Sequence, residues 1–345
     1  METVSLYELI IHRELDWIVM KKRILSGMRP TGKLHLGNYV GALENWIQLQ
    51  NEYDSFHMIA DWHMLTTDLD HTDQIKENSV EVVIDWLSAG LDHEKSPFFI
   101  QSQIKEHAEL HLLFSMLVTV PRLQRNPTVK EQARDLGLEN NMSYGHLGYP
   151  ILQAADILIY RANAVPVGED QAPHVEMTRE IARRFNNLYG DVFPEPETLL
   201  TKFPRMPGLD GRKMSKSLNN AIFLSDTSAD IEKKVMQAYT DPNRIRVTDP
   251  GNPDGCVVFA YHQKLEPEVI GQIEKDCRGG RLGCVAHKKE VARILGENLA
   301  FFREKRKYFE SHRNEVEEII KEGNTKARAE AQETMKKVSE AMQMG

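Results

Sequence analysis

Between residues 22 and 53 the chain reads as strand, Gly/Pro-rich turn and helix, and this opening restricts the folds that can follow. Lys22 to Ser26 predicts a short strand, and Gly37 to Tyr53 sets Val40, Leu43, Trp46 or Ile47, and Gln50 at helical spacing. The pattern then repeats. Residues 55–60 predict a second strand, 72–89 a helix with Val80, Val83, Ile84 and Leu87 on one face, and 97–101 a third strand. Alternation of this length requires crossover helices between parallel strands, so the expectation is an α/β chain with a doubly wound sheet. Residues 106–162 predict a helical insertion, broken by loops at Arg122 to Thr128 and at the Asn/Gly-rich run Asn140 to Tyr149. The sheet resumes with a strand at Ala164 to Val167, a turn at Gly168 to Gln171 and a helix at Pro173 to Phe185. A polar, Pro-rich loop runs on to Lys213, and beyond Thr227 the pattern is helical apart from 241–255.

Composition excludes little. A hydrophobic fraction of 41% with 27% charged residues is ordinary for a globular chain, and no run approaches the roughly 20 apolar residues that span a bilayer. The first 20 residues carry Glu2, Glu8, Glu14 and Asp16, unlike a secretory signal, so a cytoplasmic location is expected. They precede the first fold signal and are read as an extension or an over-called start, without an assigned role. A net charge of −8 does not argue against nucleic acid, which needs only one local basic surface.

Two segments carry phosphate chemistry. Arg29-Pro30-Thr31-Gly32-Lys33-Leu34-His35-Leu36-Gly37-Asn38 lies between the first strand and first helix, where an open α/β sheet binds ligands and a helix start offers free N–H groups. Gly37 allows close approach to backbone, and His35 and Asn38 can donate to phosphate oxygens. Lys213-Met214-Ser215-Lys216-Ser217 follows a loop holding Gly208 and Gly211, which suits a lid whose two lysines follow the charge of a departing pyrophosphate.

Taken together, these segments resemble the HIGH-like and KMSKS motifs of class I aminoacyl-tRNA synthetases. The Lys213 to Ser217 match is complete; His35-Leu36-Gly37-Asn38 departs at its last position, where tryptophan enzymes commonly show asparagine. Gly148-Tyr149-Pro150-Ile151-Leu152-Gln153-Ala154-Ala155-Asp156-Ile157-Leu158 resembles the segment lining the amino-acid pocket of bacterial tryptophanyl-tRNA synthetases, and Gly168-Glu169-Asp170-Gln171 resembles their Gly-Glu-Asp-Gln turn. The resemblance implies a Rossmann-like catalytic domain over 21–223, a helical anticodon-binding domain over 224–345 and a homodimer. It implies ATP with Mg²⁺, L-tryptophan and tRNA(Trp) as the ligands and no membrane partner. By the same resemblance His35, Asn38, Lys213 and Lys216 are catalytic. Arg29, Pro30, Thr31, Gly37, Gly168, Glu169, Asp170, Met214, Ser215 and Ser217 also meet ATP, and Asp156 accepts the indole N–H with Tyr149, Gln153, Gln171 and His63 around it.

Helical geometry supports the pocket, since Tyr149, Gln153 and Asp156 fall at i, i+4 and i+7 on one face. A buried carboxylate without a donor is costly, so such a site rejects side chains that lack the right N–H. Gln153 stands where some relatives have methionine, which makes the wall more polar. Lys130, in Arg122 to Lys130, matches loosely a family lysine that reaches ATP phosphates; a solvated basic loop is the alternative. Cys256, Cys277, Cys284 and His287 resemble the spacing of a four-cysteine [4Fe-4S] group in some tryptophanyl-tRNA synthetases, with histidine in the fourth place. Three thiolates and an imidazole suit Zn²⁺ or the cluster; residues left from a lost site are the third alternative. A tyrosyl-tRNA synthetase is the nearest competing reading, ahead of a catalytically silent binding protein on the same scaffold.

Overall fold

Arg23–Met28 (β1), Asp54–Ile59 (β2), Phe98–Ile100 (β3), Ala164–Val167 (β4) and Glu197–Leu200 (β5) form one parallel sheet in the order β3-β2-β1-β4-β5. These coordinates come from a computed structural model that describes residues 21–200, 206–241 and 244–344. The leading extension, residues 1–20, lies outside the described residues. The chain moves outward from β1 to β3, then returns to place β4 on the other side of β1. That reversal opens a crevice at the carboxyl ends of β1 and β4, which is where a doubly wound sheet binds its ligand.

The central strands form because they are apolar on both faces, with Ile24, Leu25, Phe56, Met58 and Ile59 buried. The fifth strand, absent from the sequence reading, is a short edge strand. Glu197 and Leu200 are exposed and Pro194 and Pro196 precede it, so only its pairing with β4 marks it as a strand.

Around the sheet lie a first helical run, α1 (Leu36–Asn38, a π-helical turn Tyr39–Leu43, and Glu44–Leu49), then α2 (Asp61–Leu65) and α3 (Ile75–Ala89). The insertion comprises α4 (Glu106–Ser115), α5 (Val120–Gln124), α6 (Pro127–Asp135) and α7 (Tyr144–Ile159), and α8 (Ala172–Tyr189) follows β4. Two loops expected in the insertion are mostly helix. The break near Arg122 to Thr128 narrows to Arg125 and Asn126, because Asn126 Oδ1 caps α6 by accepting from Thr128 N at 3.0 Å and Val129 N at 3.4 Å. In the Asn140 to Tyr149 run, α7 starts at Tyr144, capped by Ser143 Oγ at 3.1 Å from His146 N, and packing against α4 and α8 overrides the glycines.

The remainder is helical: α9 (Ser228–Met236), α10 (Val257–Leu265), α11 (Ile270–Arg278), α12 (Cys284–Asn298), α13 (Ala300–Ser311) and α14 (Arg313–Met342). Its apolar core runs across residues 223 and 224 without a break. Leu34, Leu43, Trp86 and Phe98 share one cluster with Ile231, Val291, Leu295 and Ile320, and Ala327, Ala331 and Val338 of α14 join a second cluster with Phe56, Phe99 and Leu158. The helix α14 also caps the sheet edge. Asn324 Oδ1 accepts the Ile100 N–H at 2.8 Å, and at Gly323 an added Cβ would collide with the Phe98 carbonyl oxygen. Gly323→Ala is therefore expected to lower stability by roughly 2–3 kcal/mol, read as an earlier thermal unfolding midpoint.

Candidate active site at the sheet crevice

His35 N-caps α1, and its local geometry fixes its chemistry. Its Nδ1 accepts the Asn38 N–H at 3.2 Å, while Asn38 Oδ1 accepts the His35 N–H at 3.1 Å. With Nδ1 accepting, the ring proton sits on Nε2, free to donate. Burial, then the cations of Lys216 and Lys213, push the His35 pKa down to about 4, so the ring is neutral at physiological pH.

The two phosphate segments meet there. Although about 180 residues separate them, Lys216 Nζ donates to Thr31 O at 2.6 Å and to Thr31 Oγ1 at 3.3 Å, and Met214 Sδ accepts the Gly37 N–H at 3.3 Å. Backbone pairing locks the arrangement: Leu36 N donates to Ile222 O at 2.8 Å and Leu224 N to Leu34 O at 3.0 Å. Gly37 is required by this packing, since a Cβ would stand 3.1 Å from His35 Nδ1 and 3.4 Å from Met214 Cβ. Asn220 orders the second segment by accepting Ser215 N at 2.8 Å and donating to Lys213 O at 3.1 Å, and Ser215 and Ser217 hydroxyls pair at 2.9 Å. Burial lowers the Lys216 pKa to about 8, opposed by Asp85.

The other expected phosphate residues line the approach. Pro30 is buried, and Arg29 is exposed with Nη1 donating to Thr67 Oγ1 at 3.1 Å. Gly168 leads into the 3-10 turn Glu169–Gln171 beyond β4, at the crevice. Lys130 stands exposed on α6, whose Thr128 Oγ1 donates to Asp170 O at 3.1 Å. That bond ties the helix of Lys130 to the Glu169–Gln171 turn; among the described residues no hydrogen bond or ion pair joins Lys130 to His35 or Lys216.

Tyr149, Gln153 and Asp156 share α7 as their spacing predicts, with Tyr149 and Asp156 buried and Gln153 half-buried. Asp156 is 1% exposed and accepts from His107 Nδ1 at 2.6 Å, His63 Nε2 at 2.8 Å and Gln101 Nε2 at 2.8 Å. Burial alone would raise this carboxyl; the hydrogen bonds from His107 and His63 outweigh it and hold the group well below the usual carboxylate range. Of these donors His63, on α2, is the most exposed, so the Oδ2 that it meets is the oxygen a ligand N–H can reach by displacing it. Tyr149 Oη pairs with His174 Nε2 at 2.9 Å, and Gln171 Nε2 donates to Asp170 Oδ2 at 3.1 Å.

Sequence reasoning missed Gln101, His107 and His174. Each is buried, but nothing in its neighbouring sequence marks Asp156 or Tyr149 as its partner. His107 Nε2 lies 2.8 Å from Tyr160 Oη, so Nε2 accepts from the Tyr160 hydroxyl and the ring's proton sits on Nδ1, where it donates to Asp156.

The expected metal group does not assemble in this way. Cys256, Cys277, Cys284 and His287 line one cavity of about 200 Å³ together with Arg244 and Lys288. Among the described residues, however, no three His, Cys, Asp or Glu side chains converge to hold a metal ion. His287 Nε2 is engaged by His262 Nδ1 at 2.8 Å, and Cys284 Sγ accepts from Arg244 Nη1 at 3.4 Å. Among the described residues the side-chain arrangement gives no support to Zn²⁺ or a [4Fe-4S] cluster at these four positions.

At the sheet crevice, then, a neutral histidine that caps α1 lies within electrostatic reach of Lys216 and Lys213, and comparison with known proteins defines the class. Residues 20–300 match the family model for tRNA synthetases class I (W and Y), and the chain belongs to that family. The tryptophan--tRNA ligase of Thermotoga maritima is 49% identical over 325 residues, covering 93% of this chain and 99% of the relative. That of Aquifex aeolicus is 46% identical over 393 residues, covering 93% and 100%. The crystal structure of tryptophanyl-tRNA synthetase from Campylobacter jejuni, complexed with ADP and tryptophan, superposes with a TM-score of 0.82 at 32% identity, covering 93% of this chain and 99% of that one. Within the class, the chain belongs with the tryptophan--tRNA ligases.

Proposed function

We propose that the chain activates L-tryptophan with Mg²⁺–ATP to tryptophanyl-adenylate and pyrophosphate, then transfers the tryptophanyl group to the 3′ end of tRNA(Trp). The observation that carries the reading is the contact of Lys216 with Thr31 beside His35, which gathers two cation-bearing and donor-bearing segments around one crevice. The tryptophan carboxylate is ionised at neutral pH, so its attack on the α-phosphorus needs no general base. Rate enhancement then comes from positioning and from groups aimed where charge develops. His35 Nε2–H and the Asn38 amide donate to phosphate oxygens, and Lys213 and Lys216 stabilise the leaving pyrophosphate. The Glu169–Gln171 turn, with Gly168, borders the adenosine, and the Asp156 carboxylate selects the indole N–H within a wall formed by Tyr149, Gln153, Gln171 and His63.

The ribose of the terminal tRNA adenosine attacks the adenylate in the second step. We assign anticodon reading to the helices after about residue 224, and a cytoplasmic homodimer to the working enzyme. Among the described residues no helix is long and apolar enough to cross a membrane. The test of substrate choice is amino-acid-dependent exchange of labelled pyrophosphate into ATP. Exchange that depends on tryptophan, with tyrosine at background, is the expected result, and the reverse preference refutes the reading.

A pH profile follows from the two titrating groups. Because Lys216 acts as a cation and burial sets its pKa at about 8, kcat/KM for ATP is expected to fall above that pH. His35, at about 4, stays neutral through the range and contributes no acid limb above pH 5 or so. Stopped-flow or exchange assays across pH check both limbs.

A further inference from the structure

Directly behind the loop that carries His35 lies a buried ionic group that the mechanism above does not use. Asp85 of α3 is 1% exposed, and its Oδ2 accepts the Leu34 N–H at 2.6 Å, one residue before His35. Its Oδ1 takes the guanidinium of Arg306, a residue of α13 that is 2% exposed and that also pairs with Glu81 and, at 3.0 Å, with Glu310. Glu81 in turn pairs with Arg313 of α14, which holds Glu77 at 2.7 Å, so Glu77, Glu81 and Asp85 face the helical half of the chain along one side of α3. Lys33, in the same loop as His35, reaches Glu310 at 3.8 Å.

The groups facing Asp85 are thus the Leu34 N–H, the Arg306 cation, the Glu81 carboxylate and, through space, the Lys216 ammonium. Burial pushes the Asp85 carboxyl up to about 6 against the pull of Arg306, which leaves it ionised at neutral pH. An ionised carboxylate here does two things at once. It fixes the backbone of the loop by a charge-assisted bond to its N–H, and it favours the charged form of Lys216 on the far side.

We propose that Asp85 is a positioning residue for amino-acid activation, through which Arg306 of the helical half holds the His35 loop and supports the Lys216 cation. The inference rests on the reading of His35 and Lys216 as phosphate-handling groups. It predicts that a change in α13, far in sequence from either segment, acts on the phosphate side of the reaction and leaves tryptophan binding alone.

The test is pyrophosphate exchange by purified full-length variants, followed from about pH 6 to about pH 9.5. Asp85→Asn keeps an acceptor for the Leu34 N–H but removes the charge. It is expected to lower kcat on the order of 10-fold with KM for tryptophan within about threefold, and to move the alkaline limb of kcat/KM for ATP to lower pH than the parent. Loss of a negative charge beside Lys216 lowers its pKa, a shift that a merely structural role would not produce. Parental kcat, or an alkaline limb that does not move, overturns the proposal. If Asp85→Asn does not fold, Arg306→Lys serves, since it keeps the cation but lacks the planar fork that spans Asp85 and Glu81. A drop in kcat of roughly threefold to 10-fold at unchanged tryptophan KM is expected there, and parental kcat refutes the link. Lys216→Ala run alongside separates the levels: if it exchanges at the parental rate, the phosphate reading fails with this inference, whereas if it is slow while the Asp85 and Arg306 variants are parental, this inference alone fails.

Discussion

In Lys216→Ala, tryptophan-dependent pyrophosphate exchange is expected to fall by roughly 10²–10³-fold while KM for tryptophan stays within about threefold. The side chain is half-buried and spans the crevice to Thr31 O and Oγ1, and the proposed role has its ammonium meet the leaving pyrophosphate from there. Removing it subtracts a preorganised cation, about 3–4 kcal/mol of transition-state stabilisation by analogy with other charge-stabilising groups. Among the described residues no hydrogen bond or ion pair joins it to Tyr149, Gln153 or Asp156 of α7. Lys216→Arg is not expected to restore the rate, because a planar guanidinium cannot occupy the position of a compact ammonium between two Thr31 oxygens. Single-turnover adenylate formation and steady-state exchange together check the split, and a Lys216→Ala rate within a few-fold of the parent removes the role.

Asp156 supports the second large effect, and here two substitutions separate binding from folding. Asp156→Ala leaves the N–H groups of His107 and Gln101, both 0% exposed, without their acceptor. Breaking a buried, charge-assisted group in this way is expected to cost about 3–5 kcal/mol of stability, visible in thermal or urea unfolding. Asp156→Asn keeps the volume and one acceptor oxygen, so the fold is expected to survive, while KM for tryptophan rises by at least about 10-fold. If Asp156→Asn binds tryptophan as the parent does, the carboxylate does not select the indole. The ionised Asp156 is favoured in the folded chain over the unfolded one. Its stabilising contribution is therefore present above the ordinary carboxylate pKa and is lost only as pH falls through the depressed folded value.

Much of this was legible in the sequence because it depends on local pattern. The strand at Ala164 to Val167 and the crossover helices follow from periodicity, and the i, i+4, i+7 spacing puts Tyr149, Gln153 and Asp156 on one face before any coordinates are known. What stayed hidden depends on pairing over long range. The edge strand Glu197–Leu200 has no apolar alternation of its own, and Asn126 and Ser143 start helices in stretches whose Gly, Asn and Pro content reads as loop. Gln101 and His107 carry no local sign that they surround Asp156, and Asp85 and Arg306 look like members of solvated charged faces until the fold buries both against each other. The cysteine spacing misled for a related reason. It does bring the four residues to one cavity, but spacing says nothing about His262 engaging His287 or Arg244 engaging Cys284.

A crystal structure of the chain with Mg²⁺–ATP and tryptophanamide, which lacks the attacking carboxylate, tests whether the two distant segments serve one triphosphate. The expected result is a triphosphate with oxygens about 3 Å from Lys216 Nζ and His35 Nε2, and an indole N–H on Asp156 Oδ2 in place of His63. A triphosphate bound away from both residues, or an indole that leaves Asp156 surrounded by His63, Gln101 and His107 alone, contradicts it.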